Sequence, residues 1–163
     1  MVVAIDTNIL LDVLIPDAAH ALASKELLDK AIANGALVIG EVVYAELATQ
    51  FDKAEELTTF LRDTSIRLQS SDEEALYSAS RAWKKYSKNR GTTFACPKCG
   101  RAVKVVCNSC EQPVVWRQHI ISDFLIGAHA LAHADALATR DRGYYGKYFP
   151  KLKLLVPSSA FAK

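Results

Sequence analysis

The chain predicts an α/β fold, a parallel sheet flanked by helices on both faces, on three observations. Short apolar runs rich in β-branched residues recur, such as Val2-Val3-Ala4-Ile5 and Leu37-Val38-Ile39. Runs this short and this apolar suit strands buried on both faces. Segments with apolar residues at helical spacing alternate with them, which is the pattern of βαβ units. Finally, four acids follow or interrupt apolar runs: Asp6, Glu46, Asp123 and Asp141. In such sheets function gathers at the carboxyl ends of the strands.

Each element has a local reason. Residues 2–5 form the first strand. Thr7 caps a helix carrying Ile9, Leu10, Val13 and Leu14, which stops before Pro16. Residues 18–33 repeat Leu22, Leu27, Leu28 and Ile32 at helical spacing, and Asn34-Gly35 closes that helix. Residues 37–39 form a second strand, followed by helices over 41–51 and 53–62. Residues 66–68 form a third strand. Ser70-Ser71-Asp72-Glu73-Glu74 is a capping pattern that opens a long helix over 72–88. Residues 123–134 are helical, and 136–138 and 153–156 are the last strands, the latter ended by Pro157. Asp6 and Asp141 then follow strands, while Glu46 and Asp123 fall in the first turns of helices. All four acids reach one end of the sheet.

At 163 residues the chain reads as one domain, 1–163, able to bury roughly 70% of its unfolded surface without disulfide staples. Its 50% apolar and 23% charged content fits an ordinary globular protein. No apolar stretch approaches the roughly 20 residues of a membrane span. The N-terminus lacks the features of a signal peptide, so the expected location is cytoplasmic, without a membrane partner. There cysteines serve as thiols or metal ligands. The net charge is only +2 but unevenly spread. Residues 75–110 contain no Asp or Glu, yet hold Arg81, Lys84, Lys85, Lys88, Arg90, Lys98, Arg101 and Lys104, with Trp83, Tyr86 and Phe94 between them. Such a stretch is either a nucleic-acid surface or a solvated helix face.

An isolated carboxylate in apolar surroundings costs several kcal/mol unless compensated. Singly, Asp6, Asp123 and Asp141 can be helix caps and Glu46 can face solvent. Together they point to a shared divalent cation, since hard cations prefer oxygen ligands and act on phosphodiesters.

Four segments then resemble the PIN-domain ribonucleases, and among them the VapC toxins of bacterial and archaeal toxin–antitoxin pairs. They are Val-Ala-Ile-Asp6-Thr-Asn8, Val-Val-Tyr-Ala-Glu46-Leu-Ala, Ile-Ser-Asp123-Phe-Leu-Ile-Gly-Ala-His-Ala and Ala-Thr139-Arg-Asp141-Arg-Gly-Tyr-Tyr. The tail from Tyr148 to Pro157 also fits. The resemblance implies endoribonuclease activity dependent on Mg²⁺ or Mn²⁺. It makes Asp6 and Asp123 the main metal ligands, lets Glu46 and Asp141 complete the acidic pocket, and has Asn8 and Thr139 orient carboxylates or water. It further implies an RNA substrate, a cognate antitoxin and a homodimer. Two alternatives stand beside it: an rRNA-processing PIN nuclease, and a catalytically inactive RNA-binding module.

Residues 91–116 break the α/β rhythm and read as an insertion. Cys96-x-x-Cys99 and Cys107-x-x-Cys110 predict a structural Cys₄ Zn²⁺ ribbon, with a redox dithiol pair as the competing reading. VapC toxins usually lack such a ribbon. Placed just before Asp123, it offers Lys98, Arg101, Lys104 and Trp116 to RNA; the alternative is a stiff loop that packs on a partner. His129 and His133 share a helix face but lack an evident third ligand, so they read as core or interface histidines.

Overall fold

The computed structural model describes residues 1–15, 20–89, 91–96, 98–114, 120–141 and 143–158. Among these the elements run β1 (Val2–Ile5), α1 (Thr7–Leu14), α2 (Ala21–Ala33), β2 (Ala36–Ile39), α3 (Glu41–Ala48), α4 (Ala54–Asp63) and β3 (Ile66–Leu68). They continue with α5 (Glu73–Lys88), β4 (Thr93–Ala95), β5 (Ala102–Lys104), α6 (Ile121–His133), β6 (Ala136–Ala138), α7 (Tyr144–Tyr148) and β7 (Leu154–Leu155).

β1 is the middle of a five-stranded parallel sheet of order β3-β2-β1-β6-β7. Val3, Ala4 and Ile5 are buried, as are Leu37 to Ile39 and Ala136 to Ala138. That double-sided burial is why the strands read as unbroken apolar runs. From β1 the chain lays β2 and β3 on one side, then returns to lay β6 and β7 on the other. The strand order therefore reverses between β1 and β6, which opens a crevice beyond their carboxyl ends. Ile5 pairs with Ala138, so Asp6 and Thr139 leave the sheet side by side. The Asp6 N–H donates to the Ala138 carbonyl at 2.9 Å.

α5 and α6 pack together and run antiparallel. Asp72, before α5, lies 3.6 Å from His133 at the end of α6. Trp83 and Tyr86, late in α5, stack on Phe124 in the first turn of α6, with centroids 5.3 and 5.5 Å away. Fully buried Phe124 also meets Tyr144 and Tyr148 of α7 edge-on, at 5.0 and 5.4 Å. This aromatic cluster fastens three helices at the pocket end of the sheet. Gly127 lets α6 approach α7, because a Cβ there would lie 2.4 Å from the Phe149 ring.

Several expected boundaries move. Asp6, not Thr7, holds the cap position of α1, in extended geometry and without a side-chain cap bond. Thr7 begins the helix itself, with its hydroxyl turned to Glu46. α3 stops at Ala48, where Thr49 directs its hydroxyl to the Glu46 carbonyl at 2.7 Å and competes with the helical ladder. Asp72 caps α5 as expected, accepting from the Ala75 N–H at 2.8 Å. α6 begins at Ile121, α4 spans one residue more at its end, and the last strand shrinks to two residues. α7 and the β4–β5 hairpin had no counterpart in the sequence pattern. Residues 18–19, expected to open α2, and Arg90 lie outside the described residues. Among the described residues no helix is long and apolar enough to cross a membrane.

Candidate active site

Asp6 is the most enclosed of the four acids, only 6% exposed. Its Oδ2 accepts from the Thr139 hydroxyl at 2.6 Å, Asn8 Nδ2 at 2.7 Å and the Tyr145 hydroxyl at 3.3 Å. These three donors all converge on one oxygen. Thr139 is fully buried, and its Oγ1 accepts from the Asp141 N–H at 3.0 Å. Asn8 Oδ1 accepts from the Arg140 N–H at 3.1 Å. Asn8 and Thr139 thus sew the end of β1 to the end of β6 across the crevice. Burial pushes the Asp6 carboxyl above its ordinary range. Hydrogen bonds from Thr139, the Asn8 backbone and Tyr145 pull it back in part, and the Asp123 charge pushes it up again.

Asp123 lies in the first turn of α6 and accepts the Ile120 N–H at 3.0 Å. Its charge acts on Asp6, Tyr144 and Tyr145, and its neighbour Phe124 packs on Tyr144. Burial raises the Tyr145 phenol well above its usual range, helped by the charges of Asp6 and Asp123. Tyr145 acts as an O–H donor to Asp6. Tyr144 is raised too, by burial first and then by Asp123.

Asp141 and Glu46 serve structural contacts at the rim. Asp141 Oδ1 accepts the N–H groups of Gly143 and Tyr144 at 3.0 and 2.8 Å, which secures the start of α7. Half-buried Glu46 accepts the Thr7 hydroxyl. Glu46 is not in the first turn of its helix, as the sequence suggested. α3 starts at Glu41, so Glu46 lies one turn deeper, and Glu41 is the first-turn acid.

Three groups escaped the sequence reading. Asp12, 4% exposed, accepts from Ser24 Oγ at 2.6 Å and pairs with Arg140 at 3.3 Å. Its position inside Ile9-Leu10-Leu11-Asp12-Val13 carries the same signal that singled out the other acids. Glu41 accepts the N–H and hydroxyl of Ser71, both at 3.1 Å. Burial acts to raise its carboxyl, but these bonds and its own N–H outweigh it, and the pKa is lowered. Tyr145 had only its place in the fourth motif to mark it. Buried His129 donates Nε2–H to the Gln69 carbonyl at 2.8 Å and is a core residue.

The cysteines form two matching turns. In the first, the Cys96 N–H donates to the Arg101 carbonyl at 2.9 Å and the Gly100 N–H to the Cys96 carbonyl at 2.8 Å. In the second, the Cys107 N–H donates to Gln112 at 2.9 Å and the Glu111 N–H to Cys107 at 2.8 Å. The fifth residue of each is left-handed: Gly100 at φ 71° and Glu111 at φ 59°. In each turn backbone N–H groups point at the first sulfur. Those of Cys99 and Lys98 lower the Cys96 thiol pKa, and those of Ser109 and Cys110 lower that of Cys107, with the partner thiol assisting in both. Lys98, Arg101 and Lys104 are exposed, while Trp116 lies outside the described residues. Among the described residues, no three His, Cys, Asp or Glu side chains stand close enough to form a ready-made metal cage.

A parallel sheet with a buried acid at its switch point defines a class of α/β proteins whose chemistry sits at the crevice. Within that class the chain belongs to the PIN-domain family, whose model matches residues 3–150. Similar folds occur in VapBC2 of Rickettsia felis, solved bound to a DNA fragment from its promoter: TM-score 0.60, 17% identity, 97% of this chain and 100% of that one. VapBC-1 of nontypeable Haemophilus influenzae gives TM-score 0.57 at 16% identity, over 96% and 98% of the two chains. FitAcB of Neisseria gonorrhoeae gives 0.55 at 15%, over 93% and 95%. No curated protein matches the chain in sequence.

Proposed function

We propose that this PIN domain is a Mg²⁺- or Mn²⁺-dependent endoribonuclease, the toxin of a toxin–antitoxin pair. One observation carries it: Asp6 is buried at the carboxyl end of β1, where the strand order reverses, and its three side-chain donors all occupy Oδ2. A buried carboxylate whose charge burial and a nearby acid both oppose fits a hard divalent cation. A cage of three protein ligands is not required, because Mg²⁺ is commonly held by one or two carboxylates plus water and substrate phosphate. Asp6, through Oδ1, and Asp123 would hold the ion, with Glu46 and Asp141 completing the acidic rim. Bound there, the cation supplies Lewis-acid stabilisation of charge at the scissile phosphodiester.

The chain's own groups do the rest. Asn8 and Thr139 fix the Asp6 carboxylate, and Tyr145 adds a neutral donor beside it. The VapC resemblance supports an antitoxin partner, a homodimer and a cytoplasmic location, and the fold likeness to the VapBC and FitAB complexes fits the antitoxin partner. The matching cysteine turns support Zn²⁺ binding at Cys96, Cys99, Cys107 and Cys110, since N–H groups aimed at a sulfur favour the thiolate that zinc takes. Zinc would draw the two pairs together and stiffen the insertion, whose Lys98, Arg101 and Lys104, with Trp116, extend the RNA rim. The test is a metal titration with a fluorogenic RNA. Cleavage should require Mg²⁺ or Mn²⁺ and vanish in Asp6→Asn. Cleavage in EDTA, or by that variant, would sink the assignment.

A further inference from the structure

α5 carries a built surface that the acidic crevice leaves unused. Tyr77, Arg81, Lys84, Lys85 and Lys88 are all exposed. Their spacings of three and four residues place them along one side of the helix, a stripe about 16 Å long. Two adjoining grooves, of about 590 and 450 Å³, run along it and share Tyr77, Arg81 and Lys85. Among the described residues none of the four cations has an ion-pair partner. The one acid lining the grooves, Glu74, is at the start of the helix, away from the crevice. Because α5 runs antiparallel to α6, its basic half lies beside the turn that carries Asp123.

We propose that this stripe is the track for the single-stranded RNA flanking the scissile bond, with phosphates on Arg81, Lys84, Lys85 and Lys88 and a base stacked on Tyr77. Four uncompensated cations in a groove match a polyanion. Tyr77 is 68% exposed, an open ring beside phosphate-binding charges, and a single strand has bases free to stack on it where a duplex does not. A second copy of the chain fits poorly: in a two-fold interface the patch would meet itself, cation against cation. The proposal rests on the nuclease reading for the identity of the strand and for the role of the crevice.

The test uses the full chain carrying Asp6→Asn, in buffer without added Mg²⁺ or Mn²⁺ and without chelator, with a short fluorescent single-stranded RNA followed by anisotropy across a salt series. Adding Arg81→Glu, Lys84→Glu and Lys85→Glu should weaken binding at least about 10-fold. It should also lower the slope of log K against log salt by about 2, from three contacts at roughly 0.7 each. Tyr77→Ala should weaken binding about 10-fold with the slope unchanged, and a duplex of the same sequence should bind less tightly than the single strand. Unaltered melting checks that these exposed changes leave the fold intact. Unchanged affinity and slope would overturn the proposal. So would a shift in sedimentation that accompanies the loss of binding, which would make the stripe a protein interface. The two readings fail separately: groove-dependent binding without any wild-type cleavage removes the nuclease and keeps the track, whereas unimpaired cleavage by the triple variant, made with Asp6 intact, removes the track alone.

Discussion

The acidic crevice and the cysteine hairpin are both candidate metal sites, built on opposite plans. In the crevice the donors are oxygens, Asp6 is buried, and its partners come from far along the chain: Thr139 is 133 residues away and Tyr145 is 139. In the hairpin the donors are sulfurs, half-buried or exposed, and the backbone hydrogen bonds that close each turn fall within six residues. The crevice is preorganised by the sheet, so a cation adds charge compensation to a finished scaffold. The hairpin is preorganised only within each turn, so a metal would have to supply its long-range order.

The sharpest way to break this comparison is to damage each site alone. Asp6→Asn and Asp123→Asn should each lower RNA cleavage roughly 10³-fold or more, as loss of several kcal/mol of charge stabilisation implies. Zinc content by elemental analysis should not change. The melting temperature of Asp6→Asn in EDTA should equal or exceed that of the wild type, because a charge that burial and Asp123 both oppose is gone. The reciprocal damage, Cys96→Ser with Cys107→Ser, should take bound zinc from one equivalent to none while the main melting transition persists. A collapse of the whole fold would show that the hairpin is not an independent appendage.

Thr139→Val probes the long-range wiring. It removes the shortest donor to Asp6 and an acceptor for Asp141. The expected loss is about 1.5–3 kcal/mol in urea unfolding, with a 10- to 100-fold drop in cleavage. Glu111→Gly probes the local wiring. It relieves a left-handed non-glycine residue and should stabilise the second cysteine turn by roughly 1 kcal/mol, with no effect on cleavage. Smallest is a pH effect away from both sites. Burial lowers the His129 pKa, so the unfolded state binds the proton more readily. Stability should therefore rise with pH up to about 6.5 and fall as pH drops below it, and His129→Gln should flatten that slope.

Much of the molecule was legible because its information is local. Strands β1, β2 and β6 announced themselves as short apolar runs, since parallel strands are buried on both faces, whereas the edge strand β3 carries Arg67 and buries only Ile66. The cysteine turns were equally plain from spacing alone. α7 was not, because Tyr144-Tyr145-Gly146-Lys147-Tyr148 has weak helical propensity and is held by Asp141 and the Phe124 cluster instead. α3 ended early because the Thr49 hydroxyl captured a carbonyl that the apolar pattern could not anticipate. Glu46 was misplaced within its helix, and Asp12 passed unnoticed although it stands in an apolar run as the other acids do.

The sequence by itself determined the fold class and the paired cysteine turns and singled out the acids, because periodicity and ligand chemistry are properties of residues and their near neighbours. Only the tertiary structure decided that Asp6 and Thr139 emerge side by side, that the Tyr145 hydroxyl reaches Asp6, and that the basic half of α5 lies beside the first turn of α6. Those relations depend on strand order at the β1/β6 switch and on helix direction. Both are set by packing across more than a hundred residues, where no local pattern reaches.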